Sequence, residues 1–333
     1  MRLNEIGEFG FIKRFSPMFS ELLPNQTLGI GDDCAIIPAN SDEDWLISTD
    51  LLMEDVHFLR NDISPQQLGH KSLAVNLSDI AAMGGTPVGS FLSIAIPKEV
   101  EVEYLDAFMK GYFDLSKKYN TPLLGGDTTK SLKHLAINVC VIGKCAKGMA
   151  KQRNMAKSGD VVCVTGPLGD SAGGLQLILN KQEPGSNHHY LINKHYQPEP
   201  RITEGQFLAL QPGVHAMMDI SDGIASDLVH ILNASGKAAS IHLDKLPITD
   251  VLANVAAKQR WDAMELAVSG GEDYELLCTI SPESFESVSE AFRTRFGKPL
   301  IPIGTIGEGE PSIAWYNTGR EVKMTKPGFN HFQ

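Results

Sequence analysis

Apolar residues occur in short runs along the chain, and many of these runs end in turns rich in glycine, serine and aspartate. Residues 45–53 (WLISTDLLM) predict a buried strand. A helix is predicted after it, with Ser64 as N-cap, Pro65 at its first position and Gly84 past its end. The remaining predicted elements of the first half are a strand at 88–96, a helix near 100–119, a strand entering GGDTT and a strand at 135–145.

A polar segment at 147–160 separates this half from a second series of elements. That series is predicted as a strand at 160–166, a glycine-rich turn at 166–174 with a helix after it, a polar hairpin-like stretch at 181–189, a helix at 223–234, a strand at 238–243, a helix near 283–296 and terminal strands. Strands and helices alternate in both halves, which predicts an α/β (α+β) fold. Because 333 residues exceed what one core usually holds, we expect two domains, 1–146 and 147–333.

The composition narrows the class of protein. Hydrophobic residues make up 42% and charged residues 21%, as in a globular protein, and the net charge of -11 argues against nucleic-acid binding. The five cysteines form no CxxC pair and lie beside or within apolar runs, which is typical of reduced core thiols. The N-terminus lacks a signal-peptide h-region, and no run approaches 18 apolar residues. We therefore expect a cytoplasmic protein without membrane association.

Aspartates in the turns are the main chemical signal. Seven of them lie in glycine- or serine-rich contexts: Asp32, Asp33, Asp50, Asp79, Asp127, Asp219 and Asp222. Any one alone is more often a turn or cap residue. Short carboxylates beside hydroxyl oxygens are ligands that Mg²⁺ prefers, and phosphates commonly complete its coordination. Five such junctions in one acidic chain predict a multi-metal phosphate site.

Asp79 is the most telling of these residues. It falls in the last turns of the helix that begins at Ser64, where a carboxylate opposes the helix dipole. A role in stability is therefore disfavoured. Ser72, Asn76 and Asp79 share one helix face at i, i+4 and i+7.

Several common site patterns are missing from the sequence. There is no GxxxxGK[ST] loop, no GxGxxG between a strand and a helix, no nucleophile elbow and no HExxH motif. The turn GPLGDSAGG at 166–174 is either a phosphate cradle or a tight turn with close helix packing, and the sequence leaves both open. Carboxylates, Mg²⁺ and phosphate together suit phosphoryl transfer.

The motifs GIGDDCA, ISTDLL, KSLAVNLSDIAAMGG, GGDTT, VTGPLGDSAGGL, DISDG and SGGEDYEL closely resemble, in this order, those of thiamine-monophosphate kinases. That family belongs to the ATP-binding superfamily of aminoimidazole ribonucleotide (AIR) synthetase, and the resemblance spans about residue 5 to residue 332. It implies an AIR synthetase-like fold, a homodimer, and direct transfer of phosphate from ATP to thiamine monophosphate with several Mg²⁺ ions.

The resemblance also implies site residues. The Mg²⁺ ligands would be Asp33, Ser48, Thr49, Asp50, Asp79, Asp127, Asp219 and Asp222. The ATP contacts would be Gly126, Asp127, Arg153 and Ser221. The contacts to thiamine monophosphate would be His57, Glu272 and Phe329. Asp79, Asp127, Arg153 and Asp219 would act in catalysis, whereas Asp32 is expected only to shape its turn.

Arg153 and the three contacts to thiamine monophosphate each have a simpler alternative. Arg153 would be a solvated loop cation, His57 a half-buried strand residue, Glu272 a turn cap and Phe329 C-terminal packing. Two other functions also remain open. A sister enzyme of the superfamily would use a different acceptor, although the reactive cysteines of two sisters have no counterpart here. A non-catalytic protein would bind the same nucleotide or thiamine phosphate as a sensor.

Overall fold

The computed structural model describes residues 23–181 and 185–324, together with residues 10, 12, 13 and 17. The elements of the first half are β1 (Ala35–Pro38), β2 (Glu43–Met53), α1 (Pro65–Ala82), β3 (Thr86–Pro97), α2 (Val102–Tyr119), β4 (Leu123–Ser131) and β5 (Ala136–Ala146). Those of the second half are β6 (Val161–Val164), α3 (Asp170–Leu179), α4 (Ser186–Tyr196), α5 (Ile202–Ala209), β7 (Val214–Asp219), α6 (Ile224–Ser235), β8 (Ala238–His242), α7 (Asp250–Gln259), α8 (Ala263–Ser269), β9 (Leu276–Ile280), α9 (Pro282–Phe296), β10 (Ile301–Gly307), β11 (Ile313–Asn317) and β12 (Arg320–Val322).

The first half forms a five-stranded mixed sheet in the order β1-β2-β5-β3-β4. Only the β3–β4 pair is parallel. Side chains alternate between the two faces of a strand, so the sheet has an inner face covered by α1 and α2 and an outer face. The outer face carries Thr49, Leu51, Phe91, Ser93 and Asp127, all of them exposed. We call this surface the outer face below.

Helix α1 is the central element of the molecule. Ser64 and Gln67 form a reciprocal capping box at its start, and Pro65 occupies its first turn. The chain leaves the helix through Gly84, whose φ of 71° is readily adopted by glycine. On one side α1 packs against the first sheet and α2, and on the other it packs against α5 and β7. This double burial explains why the apolar pattern of α1 runs almost all round the helix.

The second half forms a seven-stranded sheet in the order β12-β11-β8-β10-β6-β9-β7. Its pairs are antiparallel except β8–β11. Helix α6 packs on this sheet, and Leu228 and Ile231 of that helix are fully buried. The end of β7 and the start of α6 therefore meet beside α1, where the candidate site lies.

Most predicted elements are confirmed within a few residues, but the hairpin-like stretch at 181–189 is wrong over the residues described. Ser186 begins helix α4 there. Its polar residues face outward, whereas Leu191, His195 and Tyr196 are buried on one side. An amphipathic helix with a short apolar stripe therefore lies where polar composition suggested turns. Helix α5 was not predicted.

Mixed sheets with helices in both halves confirm the predicted α/β (α+β) class. Cys34, Cys163 and Cys278 are buried, Cys140 and Cys145 are half-buried, and all five are free thiols. Among the described residues, every helix is too short or too polar to cross a bilayer.

Candidate functional site

Three aspartates from distant parts of the sequence meet beside α1. Asp33 lies in the turn before β1, Asp79 in the last turn of α1 and Asp219 at the end of β7. One carboxylate oxygen from each lies within 4.8 Å of the other two. We call these three residues the aspartate cluster. Their convergence joins the two halves of the chain at one point.

Two serines hold the cluster in place. Ser48 Oγ donates a hydrogen bond to Asp79 Oδ2 at 2.5 Å, and Ser78 Oγ donates one to Asp219 Oδ2 at 2.5 Å. Ser48 lies on the inner face of β2, as does Asp50, two residues later. The backbone N–H of Asp50 donates to Asn76 Oδ1 of α1 at 3.1 Å. Ser78 was not predicted as a site residue.

Burial dominates the electrostatics of this region. It raises the pKa of Asp219 to about 8 and that of Asp50 to about 6, and the neighbouring Asp33 carboxylate adds to both shifts. Burial and the charges of Asp50 and Asp219 raise the pKa of Asp79 well above its usual range. Carboxylates placed together in this way either bind protons or require cations.

Arg153 provides one of those cations. Its Nη2 donates to Asp33 Oδ1 at 2.6 Å, and only 17% of its side chain is exposed. The alternative of a solvated loop cation is therefore wrong. Asp32 accepts backbone N–H groups from Asp33 and Arg153 at 3.0 Å each, so it shapes the turn as predicted. Burial and the adjacent Asp33 raise the pKa of Asp32 to about 7.

The loop between β7 and α6 carries Ser221 and Asp222. Asp227 Oδ2 accepts the backbone N–H groups of both residues, at 3.1 and 3.2 Å. Helix α6, which supplies Asp227, also donates from Ser235 Oγ to the carbonyl of Arg153 at 2.8 Å. Asp227 was not predicted to have a role, although an acid in the first turn of a helix after DISDG is a signal for such a cap.

A cavity of about 650 Å³ extends from this region to the predicted substrate residues. It is lined by Asp50, Asp79, Asp219, Ser221, Asp222, His57 and Glu272, among others. His57 Nδ1 accepts the backbone N–H of Met53 at 3.0 Å. The structure thus brings two of the three predicted substrate contacts into one cavity with four of the eight predicted metal ligands. Phe329 lies outside the described residues.

Glu272 is held by a lysine that the sequence analysis did not single out. Lys71 Nζ of α1 donates to Glu272 Oε2 at 2.9 Å, and the lysine side chain is fully buried. Burial alone would raise the pKa of Glu272, but the Lys71 ammonium outweighs it and the pKa is lowered. The sequence does contain a signal for this pair. Lys71 is the only charged residue in the run KSLAVNLS, and a lysine buried in such a run is expected to have a charged partner.

Three predicted ligands or nucleotide contacts lie apart from the cluster. Thr49 is on the outer face, where its Oγ1 donates to Val139 O at 3.0 Å. Asp127 is on the outer face of β4, and the strand register places it three strands from Leu51, or about 14 Å away. Gly126 faces inward on the same edge strand, beside a second cavity of about 410 Å³. A single chain does not bring these residues to Asp79.

The glycine-rich turn at 166–174 binds a side chain of the protein itself. Asp273 accepts the backbone N–H groups of Gly169 at 2.6 Å and Ser171 at 3.3 Å. A Cβ at Gly174 would lie 2.2 Å from the carbonyl oxygen of Leu191. Of the two alternatives for this turn, the structure favours close helix packing over a phosphate cradle.

Comparisons with known proteins agree with this architecture. Residues 31–145 match the family model of the AIR synthase related protein, N-terminal domain, and residues 157–316 match that of the C-terminal domain. The thiamine-monophosphate kinase of Escherichia coli (strain K12) is 38% identical over 328 residues, which cover 98% of each chain. That of Buchnera aphidicola subsp. Acyrthosiphon pisum is 39% identical over 328 residues, again covering 98% of each.

A solved structure of AaThiL complexed with AMPPCP and TMP superposes with a TM-score of 0.85 at 34% identity, and the match covers 99% of both chains. Full-length similarity of this extent, combined with both domain matches, identifies the family. The chain belongs to the AIR synthase related proteins and, within them, to the thiamine-monophosphate kinases.

Proposed function

We propose that this chain transfers the terminal phosphoryl group of ATP to thiamine monophosphate and forms thiamine diphosphate. The observation that carries the proposal is one cavity lined both by Asp79 and Asp219 of the aspartate cluster and by His57 and Glu272. The relatives named above as thiamine-monophosphate kinases, and AaThiL complexed with AMPPCP and TMP, support the same reaction.

The aspartate cluster has the donor set for Mg²⁺. Asp33 Oδ2 is buried and has no hydrogen-bond partner among the described residues, as expected of an atom whose partner is a cation. We propose that Asp33, Asp79 and Asp219 bind Mg²⁺ together with Ser48, Asp50 and Asp222. Bound Mg²⁺ would neutralise charge on the phosphates as they approach. The pKa values of Asp79 and Asp219 are raised, so their ionised forms are unfavourable without a nearby positive charge. Hard divalent cations supply that charge and prefer carboxylate ligands.

The chain's own groups suit direct transfer. The phosphate monoester of the acceptor is largely ionised at neutral pH, because its second pKa is about 6, so the reaction needs no general base. The main barrier is the approach of two anions. Arg153, 2.6 Å from Asp33, is placed to add positive charge beside the cluster. Ser48 and Ser78 keep Asp79 and Asp219 in fixed orientations, so less reorganisation is needed during transfer.

We propose that the nucleotide contacts Arg153, Ser221 and the edge strand at Gly126 and Asp127. The cavity beside Gly126 is lined by apolar side chains that include Leu92, Ile94 and Phe108, which suits a flat base. We also propose two domains, 1–146 and 147–333, because the five-stranded sheet ends at Ala146. A cytoplasmic location is supported by the five free thiols.

A homodimer would account for the ligands that lie apart. The outer face exposes Leu51 at 52% and Phe91 at 39%, and β4 is a largely exposed edge strand. We propose that two outer faces pack together, so that Thr49 and Asp127 are completed by the second copy. Sedimentation of the wild type and of Leu51→Asp tests this directly. A monomeric wild type would exclude it, whereas a dimer lost in the variant supports it.

The reaction itself is tested by thiamine diphosphate formation from Mg-ATP and thiamine monophosphate. Free thiamine as acceptor and EDTA as chelator are the controls. Metal-dependent product from the monophosphate alone supports the proposal. Nucleotide binding without product would instead favour a sister acceptor or a sensor, the two alternatives that the sequence left open.

A further inference from the structure

Two buried side chains converge on one oxygen of Glu272. Lys71 Nζ lies 2.9 Å from Oε2 and His195 Nδ1 lies 3.0 Å from the same atom. Lys71 and His195 also approach each other, with 3.5 Å between Nζ and Nε2. Their side chains are 0% and 6% exposed, whereas that of Glu272 is 24% exposed at the cavity wall. We call Lys71, His195 and Glu272 the buried triad.

The protonation states within the triad are consistent with its geometry. Burial, followed by the Lys71 charge, lowers the pKa of His195 to about 4, so the imidazole is neutral at pH 7. Nδ1 of this neutral ring lies within hydrogen-bond distance of Glu272 Oε2, at 3.0 Å, and of Ser171 Oγ, at 3.1 Å, while Nε2 faces Lys71. The net charge of the set is zero, with one cation and one carboxylate. Lys71 contacts both His195 and Glu272, so it restricts the orientation of both side chains.

The backbone of Glu272 is fixed as well. Its φ of 65° lies in the left-handed region, which is unfavourable for a residue with a side chain. The N–H of Glu272 donates to Ser221 O at 2.7 Å, and that of Tyr274 donates to Ile220 O at 2.9 Å. The loop bearing Glu272 is thereby tied to the loop that follows Asp219. Strained backbone held by such surroundings is typical of functional positions.

Helix α1 connects the two ends of the cavity. Lys71 and Asp79 are eight residues apart on this helix, which corresponds to a rise of about 12 Å. The same rigid element therefore supports an acid of the aspartate cluster and the lysine that binds Glu272. Its position fixes the separation between the phosphate end and the Glu272 end of the cavity.

We propose that Lys71 and His195 are positioning residues that hold the Glu272 carboxylate oriented to accept a hydrogen bond from the amino group of an aminopyrimidine. This inference rests on the proposed function, because that ring belongs to thiamine monophosphate. A carboxylate accepts hydrogen bonds only, so it selects a ring bearing an amine over one bearing an oxygen at the same place. The buried triad therefore determines specificity through the Glu272 carboxylate, which Lys71 supports from outside the cavity and His195 from its lining.

The decisive experiment compares thiamine monophosphate with oxythiamine monophosphate, in which oxygen replaces that amine. Affinities are measured by calorimetry for the wild type, Lys71→Met, Glu272→Gln and the double variant. We expect Lys71→Met to weaken thiamine monophosphate binding about 10-fold or more and to remove most of the preference for the amine. ATP affinity should stay within about 2-fold, since Lys71 bonds to the side chain of Glu272, whereas the neighbouring nucleotide contact Ser221 is held by the Glu272 backbone N–H.

A double-mutant cycle between Lys71 and Glu272 distinguishes a positioning role from a general loss of structure. The Lys71→Met loss should largely disappear in the Glu272→Gln background, because a neutral amide needs no ammonium. Lys298→Met, which breaks a 2.9 Å pair with Glu204 outside the cavity, is the control and should leave both affinities unchanged. If Lys71→Met fails to fold, His195→Gln tests the second donor, and it should lower the amine preference by the same coupling.

Two failures are distinguishable. No thiamine diphosphate from the wild type would overturn the proposed reaction, while the binding comparison still tests the buried triad. Unchanged amine preference in folded Lys71→Met or His195→Gln, or losses that multiply with that of Glu272→Gln, would overturn the inference even if the enzyme is active.

Discussion

The hydroxyl of Ser48 donates a 2.5 Å hydrogen bond to Asp79 Oδ2, and this contact joins β2 to the last turn of α1. The carboxylate it supports is in an unfavourable place by two criteria. Asp79 opposes the dipole of α1, and burial with Asp50 and Asp219 nearby raises its pKa. A residue kept where it costs stability is expected to serve function instead.

Replacing Asp79 by Asn should therefore separate activity from stability. The amide retains an oxygen that accepts from Ser48 but removes the charge that binds Mg²⁺. We expect kcat to fall by about 100-fold or more, as for loss of one preorganised electrostatic group. The metal-free variant should be as stable as the wild type, or more stable by about 1 kcal/mol. Steady-state kinetics and thermal unfolding in EDTA give the two results.

Asp106→Asn is the matched control for this substitution, because it removes an exposed carboxylate from α2. Its activity and stability should remain close to those of the wild type. Severe unfolding of Asp79→Asn, with Asp106→Asn unaffected, would assign Asp79 a structural role and contradict the prediction.

Arg153→Met should lower kcat more than it changes the KM for thiamine monophosphate. The guanidinium contacts Asp33 and adds charge beside the cluster, so its removal mainly affects the charged transition state. We expect a loss of about 100-fold or more in kcat, measured with saturating Mg²⁺. Lys157→Met removes an exposed cation from the same segment and serves as the control. An equal loss of kcat in both variants would mean that Arg153 contributes only to the overall positive charge of this segment.

The aspartate cluster could be anticipated because each member follows an apolar run. The sequence marks them only as part of a set of seven such aspartates. The structure brings Asp33, Asp79 and Asp219 together and leaves Asp127 on the outer face. The alternation of side chains along a strand can also be predicted from the sequence. Thr49 and Ser48 must point to opposite sides of β2, and only the register of the whole sheet reveals which side carries α1.

The buried triad could not be anticipated in the same way. Lys71, His195 and Glu272 are separated by more than 75 residues at each step, and their meeting depends on how α1, α4 and the loop before β9 pack. Helix α4 itself was not predicted, because its exposed side is polar and its apolar stripe is too short to give a clear helical period. Pairwise tertiary contacts of this kind leave no periodic signal.

Stability of the metal-free protein should fall as pH rises from about 6.5 to 9. Burial raises the pKa of Asp219 and of Asp273 to about 8, compared with 3.8 for the ordinary carboxyl. In this window the folded chain retains protons that the unfolded chain has released, so deprotonation favours unfolding. Each such carboxyl contributes a loss of about 2 kcal/mol across the window. His195 opposes this trend weakly at the lower end of the window. Its pKa is lowered to about 4 in the folded chain, so near pH 6.5 only the unfolded imidazole still binds a proton, and the loss of that proton slightly favours folding.

Urea unfolding in EDTA and in Mg²⁺ separates the two carboxyls. Cations bound at the aspartate cluster replace its protons, so Mg²⁺ should remove the share of Asp219. Asp273 binds N–H groups at the start of α3, away from the cluster, so its part of the pH-dependent loss of stability should remain in Mg²⁺. Asp273→Asn should remove that part. A pH dependence in EDTA that is flat from 6.5 to 9 would contradict the raised pKa values.

Gly126→Ala and Gly125→Ala form a pair of neighbouring substitutions with opposite expectations. A Cβ at Gly126 would lie 1.7 Å from the carbonyl oxygen of Leu92, so the β3–β4 pairing has to shift. At Gly125 the nearest atoms are those of the Phe91 ring, at an ordinary 3.5 Å. We expect Gly126→Ala to cost about 2 kcal/mol and to raise the KM for ATP, because the edge strand and its cavity move together.

The KM for thiamine monophosphate should change little in either variant, since β4 contributes no lining residue to the cavity that holds Glu272 and His57. Thermal unfolding and the two KM values, measured side by side, decide the matter. A Gly125→Ala variant as damaged as Gly126→Ala would mean that the strand tolerates no side chain at either position. An unaffected KM for ATP in a folded Gly126→Ala variant would remove the edge strand from the proposed nucleotide contacts.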